Sequence, residues 1–378
     1  MRHTKLFITL LTTMILNAED DFFRKARQSN IESEAKIEKA YQAVNKILEK
    51  NTIVEQIKPT ENSAPVKAIF SQIVPILHPE IVATVDTSVY AKNILLSKDD
   101  TIAYIADTRS GIQIVNTHKS KIIHTVDTPG SAMDLAISDD QKYLFVADKH
   151  FGIQVIDIQN PKEAQIIGSL ETESDAKSIA RSYDNRYLFV TNENSGVIII
   201  DVQNKMKLKK IAKIKTKGYA EDIALSLDGK FAFIATGTFG LQIVDIQNIN
   251  HPQTIANMKT PDYAQGITLS KNANFAFIAD NKSGMQIVDL ANIYNPKITA
   301  SLKTQNQATS ITLSADQKTA FIADYESGMQ VVDISNVYQP KLKHILDTKS
   351  YAEDIKISKD NQQAYIADGW SGLVIVAL

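Results

Sequence analysis

The sequence predicts an all-β fold: a seven-bladed β-propeller closed by an N-terminal strand, preceded by a signal peptide and a short helical segment. Three observations predict it. A glycine followed by an apolar run recurs at Gly111, Gly152, Gly196, Gly240, Gly284, Gly328 and Gly372, stepping by 41 and then by 44 residues. Two further columns step in register with it: Ala91, Ala132, Ala176, Ala220, Ala264, Ala308, Ala352 and Ser97, Ser138, Ser182, Ser226, Ser270, Ser314, Ser358. Each unit reads as four short apolar segments separated by turn residues, and a period of about 44 with four strands per unit is the signature of propeller blades.

The fifth unit shows the segments in order. Gly266 to Ser270 alternates as a first strand, and Lys271-Asn272-Ala273-Asn274 is a polar turn. Phe275 to Ala279 is a second strand, Asp280 to Gly284 a tight turn, Met285 to Val288 a third strand and Ile298 to Leu302 a fourth. Third-strand runs such as Leu241-Gln242-Ile243-Val244-Asp245 are largely apolar on both faces. That suits a strand sandwiched between neighbouring sheets; a half-exposed strand would alternate. The seventh unit reaches Leu378 within its third strand, and Pro79 to Thr87 matches the fourth-strand segments Pro296 to Thr304 and Pro340 to Thr348. The N-terminal strand is therefore expected to complete the last blade and remove the open edges that invite aggregation.

The residues ahead of the repeats read differently. Arg2 and Lys5 precede a short apolar run, Leu6 to Leu16, and Asn17-Ala18 lead into Glu19-Asp20-Asp21. This pattern predicts a signal peptide over 1–18, too short to span a bilayer comfortably, with cleavage after Ala18 and no transmembrane anchor afterwards. The protein is then exported, to the periplasm or the cell surface. Between Asp21 and Lys50 there is no proline or glycine, and Ile37, Tyr41, Val44 and Leu48 recur at helical spacing, so 19–50 reads as an amphipathic helix. Pro59, Pro65 and Pro75 mark 51–78 as a linker, leaving 79–378 for the propeller.

The run Gly-Leu-Gln-Ile-Val-Asp-Ile at 240–246, its variants at 284–290 and 328–334, and Phe-Ile-Ala-Asp at 277–280 and 321–324 resemble the LVIVD-repeat propellers, relatives of the YVTN group. The resemblance covers 79–378 and implies the propeller fold. It implies a bacterial cell-surface or exported setting and no particular activity. Asn192, Thr236 and Asn116 depart from the aspartates of the pattern.

Composition narrows the function. A formal net charge of -2 gives no basic field for nucleic acid. The absence of cysteine excludes disulfides, thiol catalysis and thiolate metal sites. His78, His118, His124, His150, His251 and His344 show no pair at metal-ligand spacing. No phosphate loop and no nucleophile elbow occurs, so no catalytic, cofactor or metal set emerges. The aspartates Asp107, Asp148, Asp280, Asp324 and Asp368 each open a turn closed by a glycine four residues on. They are expected to bond their own turn backbone.

The loops from a fourth strand into the next first strand crowd one mouth of the channel in a propeller. They carry Tyr90, Asp134, Asp175, Tyr219, Asp222, Tyr263, Tyr351 and Asp354, with Glu221 and Glu353 beside them, and are expected to form an aromatic, acidic funnel. Trp370, the single tryptophan, sits on a turn tip as a candidate interface anchor. The leading reading is a non-enzymatic propeller that binds a protein or other macromolecule in the cell envelope. The alternative is a small-ligand or divalent-metal propeller enzyme, hydrolase- or lactonase-like, with Asp134, Asp222 and Asp354 holding calcium. A third is a structural repeat attached to an envelope assembly through the helix. Oligomeric state does not follow from these residues.

Overall fold

The computed structural model describes residues 79–378. The signal peptide, amphipathic helix and linker predicted for 1–78 lie outside the described residues. The rest forms seven four-stranded antiparallel sheets. Blade one contains β2 (Asn93–Leu96), β3 (Ile102–Ala106), β4 (Ile112–Asn116) and β5 (Lys121–Val126). Blades two to six repeat this order with β6–β9 over 134–170, β10–β13 over 176–214, β14–β17 over 222–258, β18–β21 over 266–302 and β22–β25 over 310–346. Blade seven combines β26 (Asp354–Ile357), β27 (Gln363–Ala367) and β28 (Leu373–Ala377) with β1 (Glu80–Val85), which runs antiparallel to β28 from Glu80 opposite Ala377 to Val85 opposite Leu373.

The innermost strands touch in the cycle β2, β6, β10, β14, β18, β22, β26 and back to β2, so the blades close a ring. The core lies in the seams between blades. Each seam holds one apolar cluster, such as Tyr104, Ile112 and Leu135 with Ile156 between blades one and two. The second strands contribute a buried aromatic column, Tyr104, Phe145, Phe189, Phe233, Phe277, Phe321 and Tyr365, none more than 5% exposed. Burying each such ring contributes roughly 1.5–3 kcal/mol, repeated around the ring. The third strands are buried on both faces, as β16 (Leu241–Asp245) shows.

The three columns have separate physical roles. Each serine is a hairpin clasp: Ser138 Oγ donates to Asp140 Oδ1 at 2.6 Å and accepts the Tyr143 N–H at 3.0 Å. The same pair of bonds recurs at Ser182, Ser226, Ser314 and Ser358. Each alanine stitches blades together. Ala132 N donates to Thr108 O of the preceding blade at 3.0 Å, and bridges of this type occur at every seam except the one before blade four. The alanines are fully buried, so a larger side chain has no room there. The glycine closes the second turn. Gly284 has φ +70°, and a Cβ on it would lie 2.4 Å from Leu302 O, so only glycine fits.

The turn aspartates correct the sequence reading. Their carboxylates chiefly engage the loop about twenty residues earlier, and not their own turns. Asp107 accepts Thr87 Oγ1 at 2.8 Å and the Val89 N–H at 3.0 Å; Asp148 accepts Thr128 Oγ1 at 2.9 Å and the Gly130 N–H at 3.0 Å. Asp368 accepts Thr348 Oγ1 at 2.5 Å, and Asp280 and Asp324 take the N–H groups of Asp262 and Asn306. The carboxylate thus locks the strand-entry loop of its blade onto its second turn. Burial pushes Asp148, Asp280 and Asp368 up to about 6, against the pull of these donors, and raises Asp107 and Asp324 as well.

Candidate functional site

The entry loops and the second turns lie on one face of the ring, as the threonine–aspartate clasps require. The inner edges of the first strands face the channel. An edge strand leaves N–H groups unpaired, and these need partners. Three aspartates supply them across the seams. Asp134 Oδ2 accepts the Ile179 N–H at 2.8 Å, Asp222 Oδ2 the Ile267 N–H at 2.8 Å and Asp354 Oδ2 the Ile94 N–H at 3.2 Å. Each binds the inner edge of the next blade.

Serines join these carboxylates. Ser178 Oγ lies 2.7 Å from Asp134 Oδ2 and 2.8 Å from Asp222 Oδ1, while Ser310 Oγ donates to Asp354 Oδ1 at 2.6 Å. Blade three positions Ser178 by an irregularity between Ala176 and Ile179, where the Ser178 N–H donates to Thr191 Oγ1 at 2.7 Å. Such bulges re-aim a side chain. One hydroxyl hydrogen cannot serve two carboxylates at once, so Ser178 donates to one member of the Asp134–Asp222 pair at a time and leaves the two buried acids short of donors. Burial, then the Asp222 charge, push Asp134 up to about 7, and burial raises Asp222.

Lys356 projects into the same channel, 2.7 and 2.9 Å from the two oxygens of Asp354. Its side chain is 37% accessible because the channel admits water, although protein surrounds it on all sides. Burial alone would lower its pKa; the charges of Asp354, then Asp134 and Asp222, outweigh that and raise it. The lysine therefore supplies the positive charge these acids need. Among the described residues no three acids or histidines converge as metal ligands.

Above this layer sits a second one. Glu353 accepts Tyr90 Oη at 2.5 Å and Lys92 Nζ at 2.5 Å, both from blade one. Glu221 accepts Lys177 Nζ from blade three and Tyr263 Oη from the entry to blade five. Burial and the neighbouring glutamates raise both tyrosines well above their usual range, so they stay protonated donors. Together the layers line a cavity of about 330 Å³ with five acids and three lysines in its wall.

The residues expected in the funnel divide between the channel and the rim. Tyr90, Asp134, Asp222, Tyr263 and Asp354 gather at the channel. Asp175 does not: it pairs with His150 on the rim between blades two and three. Tyr219 does not either; it is exposed beside Phe239 over blades three and four. Tyr351 belongs to a separate aromatic run. It stacks on Tyr325 with centroids 4.5 Å apart and lies 6.5 Å from Tyr90, which meets Trp370 edge-on at 5.1 Å. Trp370 is 64% exposed. Sequence reasoning missed Lys356, Lys92 and Lys177. Lys356 stands in the column Leu95, Ala136, Ala180, Ala224, Thr268, Thr312, where one lysine among small or apolar residues was the available signal. Thr191, where the other units carry alanine, signalled the irregularity behind Ser178.

The LVIVD repeat profile matches residues 217–260, 262–304, 308–348 and 350–377, and a Cytochrome D1 heme domain profile matches 96–226. The chain carries LVIVD repeats on a seven-bladed propeller. No curated protein matches it. The β-propeller domain of Cps50 (Swd1) from Myceliophteria thermophila is similar in fold, with TM-score 0.68 and 10% identity, over 79% of this chain and 99% of that one. Hydrazine synthase of Kuenenia stuttgartiensis superposes with TM-score 0.66 and 15% identity, over 79% of this chain and 98% of its own. At these identities the likeness is one of fold. The residues do not fit a haem. No histidine lines the channel, the chain has no cysteine, and the two tyrosines nearest it are bonded to Glu353 and Glu221.

Proposed function

We propose that this seven-bladed LVIVD-repeat propeller is an exported, non-enzymatic binding module of the cell envelope, acting in the periplasm or at the cell surface. It engages a protein partner through the aromatic side of its channel mouth. The observation that carries this reading is the continuous run Tyr325, Tyr351, Tyr90 and Trp370, with Trp370 64% exposed at one end. Tyrosine and tryptophan supply large rigid contact area with a polar tip, and such residues dominate interface energetics. The tyrosine hydroxyl of Tyr90 is already held by Glu353, so its ring is fixed before a partner arrives. Export rests on the basic start at Arg2 and Lys5 and the apolar run Leu6 to Leu16.

The test is crosslinking and pull-down from envelope fractions with wild type and with Trp370→Ala combined with Tyr351→Ala. A partner recovered by wild type and lost by the variant, with melting temperature unchanged, is the expected result. Equal recovery by both would remove the aromatic run from the reading.

The second reading, a small-ligand or divalent-metal enzyme using the channel, is favoured by the open-mouthed cavity of about 330 Å³ and its mixed charges. Lys356 argues against a cation there, since it already neutralises Asp354. Calorimetry with calcium decides it: binding that Asp222→Ala abolishes would favour this reading over the first.

A further inference from the structure

The outer edge of blade three carries a charge that the chain as a whole conceals. Between 205 and 217 there are seven lysines and no acid, in a protein of net charge -2. The segment spans β13 (Lys209–Ile214), the edge strand of its sheet, and runs on toward the mouth face. Lys205 is structural: its ammonium lies 5.6 Å from the ring centres of Tyr143 and Phe145 and donates to Val202 O at 2.5 Å. Lys213 meets Glu173 at 2.8 Å in an exposed pair. Lys207, Lys209, Lys210, Lys215 and Lys217 are exposed and have no ion pair among the described residues. Edge strands commonly carry a lysine to block pairing with another copy. The other outer strands carry from none, as on Gln165–Leu170 and Gln253–Met258, to two, as on Lys341–Leu346, and none of them lies in a run of seven lysines without an acid. The excess on β13 needs another explanation.

At the upper end of the row a cavity of about 520 Å³ opens between the turns of blades three and four. Tyr219 and Phe239, 48% and 49% exposed, stand beside it with Lys215 and Lys217. The opening lies beside a missing clasp. Thr236 occupies the aspartate position, and Thr216 turns to its own loop, donating to Gly218 O at 2.7 Å.

We infer that this strip is a docking site for an acidic, extended segment of a partner polypeptide, which adds to the open edge of β13 and seats an aromatic or aliphatic side chain between Tyr219 and Phe239. Alternate residues of an extended chain recur about every 6–7 Å. Lys209 and Lys213 stand two such repeats apart on the strand itself, and Lys215 and Lys217 continue the positive charge along the loop that follows it, so the strip complements an acidic segment laid along the edge. The free backbone edge provides the ladder such a segment needs. The row is one strand wide, which suits a linear polymer better than a planar membrane surface. This strip is separate from the aromatic run of blades six, seven and one.

The full-length chain would be titrated against a labelled peptide with glutamate at alternate positions and a terminal phenylalanine. Controls are a scrambled peptide of the same composition, a single-stranded oligonucleotide, a sulfated glycan and phosphatidylglycerol vesicles. The expected result is tighter binding of the alternating peptide than of any control. Lys213→Glu, Lys215→Glu and Lys217→Glu together should weaken it at least about tenfold, the sum of three modest exposed pairs. Lys215→Gln and Lys217→Gln should show a smaller loss with unchanged melting, and Trp370→Ala should show none. Equal binding of the scrambled peptide, tighter binding of oligonucleotide, glycan or vesicles, or indifference to the lysine substitutions would overturn the proposal.

Discussion

Blades three and four differ from the other five in one repeated contact. Every unit carries a threonine at the head of its entry loop: Thr87, Thr128, Thr172, Thr216, Thr260, Thr304 and Thr348. In blades one, two and seven that hydroxyl donates to the turn aspartate. In blades five and six the clasp is kept by the loop N–H groups of Asp262 and Asn306, which donate to Asp280 and Asp324, while Thr260 Oγ1 and Thr304 Oγ1 make no hydrogen bond among the described residues. Blades three and four have Asn192 and Thr236 instead, and there Thr172 and Thr216 donate to Ser174 O and Gly218 O of their own loops. The clasp is lost on one side of the ring only. Relief from it coincides with the irregular first strand that aims Ser178 at two aspartates, and with the cavity beside Tyr219. A repeat protein can hold its fold with five locked loops and spend the other two on recognition or charge placement.

The largest effect should come from removing a clasp and a strand together. Deleting residues 79–87 takes away β1 and Thr87, leaving β28 an open edge and Asp107 without its hydroxyl donor. Loss of a strand ladder and of buried Val85 should cost several kcal/mol, roughly 3 or more, and expose a pairing edge. Thermal melting and limited proteolysis check this; unchanged behaviour would mean the ring does not depend on β1. A smaller effect tests the clasp itself. Asp148→Ala should destabilise by about 1–3 kcal/mol, because Thr128 Oγ1 and the Gly130 N–H lose their acceptor. Conversely, Thr236→Asp should lend blade four the contact it lacks, raising the melting temperature by a degree or two for about 1 kcal/mol. A fall in stability there would show that blade four is shaped for another purpose.

The ring, its blade number and the turn glycines were legible because each is written seven times, and repetition separates a structural position from noise. The clasp was half legible. The aspartate column was read, but its partner was assigned to the adjacent backbone, the nearest donor in sequence. The true donor column of threonines lies twenty residues upstream in perfect register, and only the return of the entry loop over the turn brings the two together. The channel was less legible for the opposite reason. Lys356, Ser178 and Thr191 each occur once, so no column announces them, and their meaning comes from side chains that converge from different blades. Asp175 and Tyr219 occupy funnel columns in sequence yet point elsewhere, and both sit in the entry loops of blades three and four, the two that lack the clasp.

The smallest expected effect separates the two kinds of blade by titration. Asp148, Asp280 and Asp368 hold protons up to about pH 6 in the folded ring, because burial outweighs their hydrogen-bond donors. Asp107 and Asp324 shift in the same direction. An unfolded aspartate titrates near about 3.9, so between these values the native state binds more protons than the unfolded one, and stability must fall as pH rises. The contribution is complete below about pH 4 and is lost by about pH 7. The exposed hairpin acids Asp99, Asp140, Asp228, Asp316 and Asp360 are lowered by their serine donors and weaken the fold only at more acid pH. Denaturant unfolding from pH 4 to pH 7 should therefore show declining stability, by on the order of 1 kcal/mol per clasp. Asp148→Asn and Asp368→Asn should flatten that slope, while Asn192 and Thr236, which do not titrate, set the behaviour of an unclasped blade. If Thr236→Asp steepens the slope, blade four has been converted to the type of its neighbours; a slope indifferent to all three substitutions would place the titration elsewhere, with the Asp134–Asp222 pair in the channel.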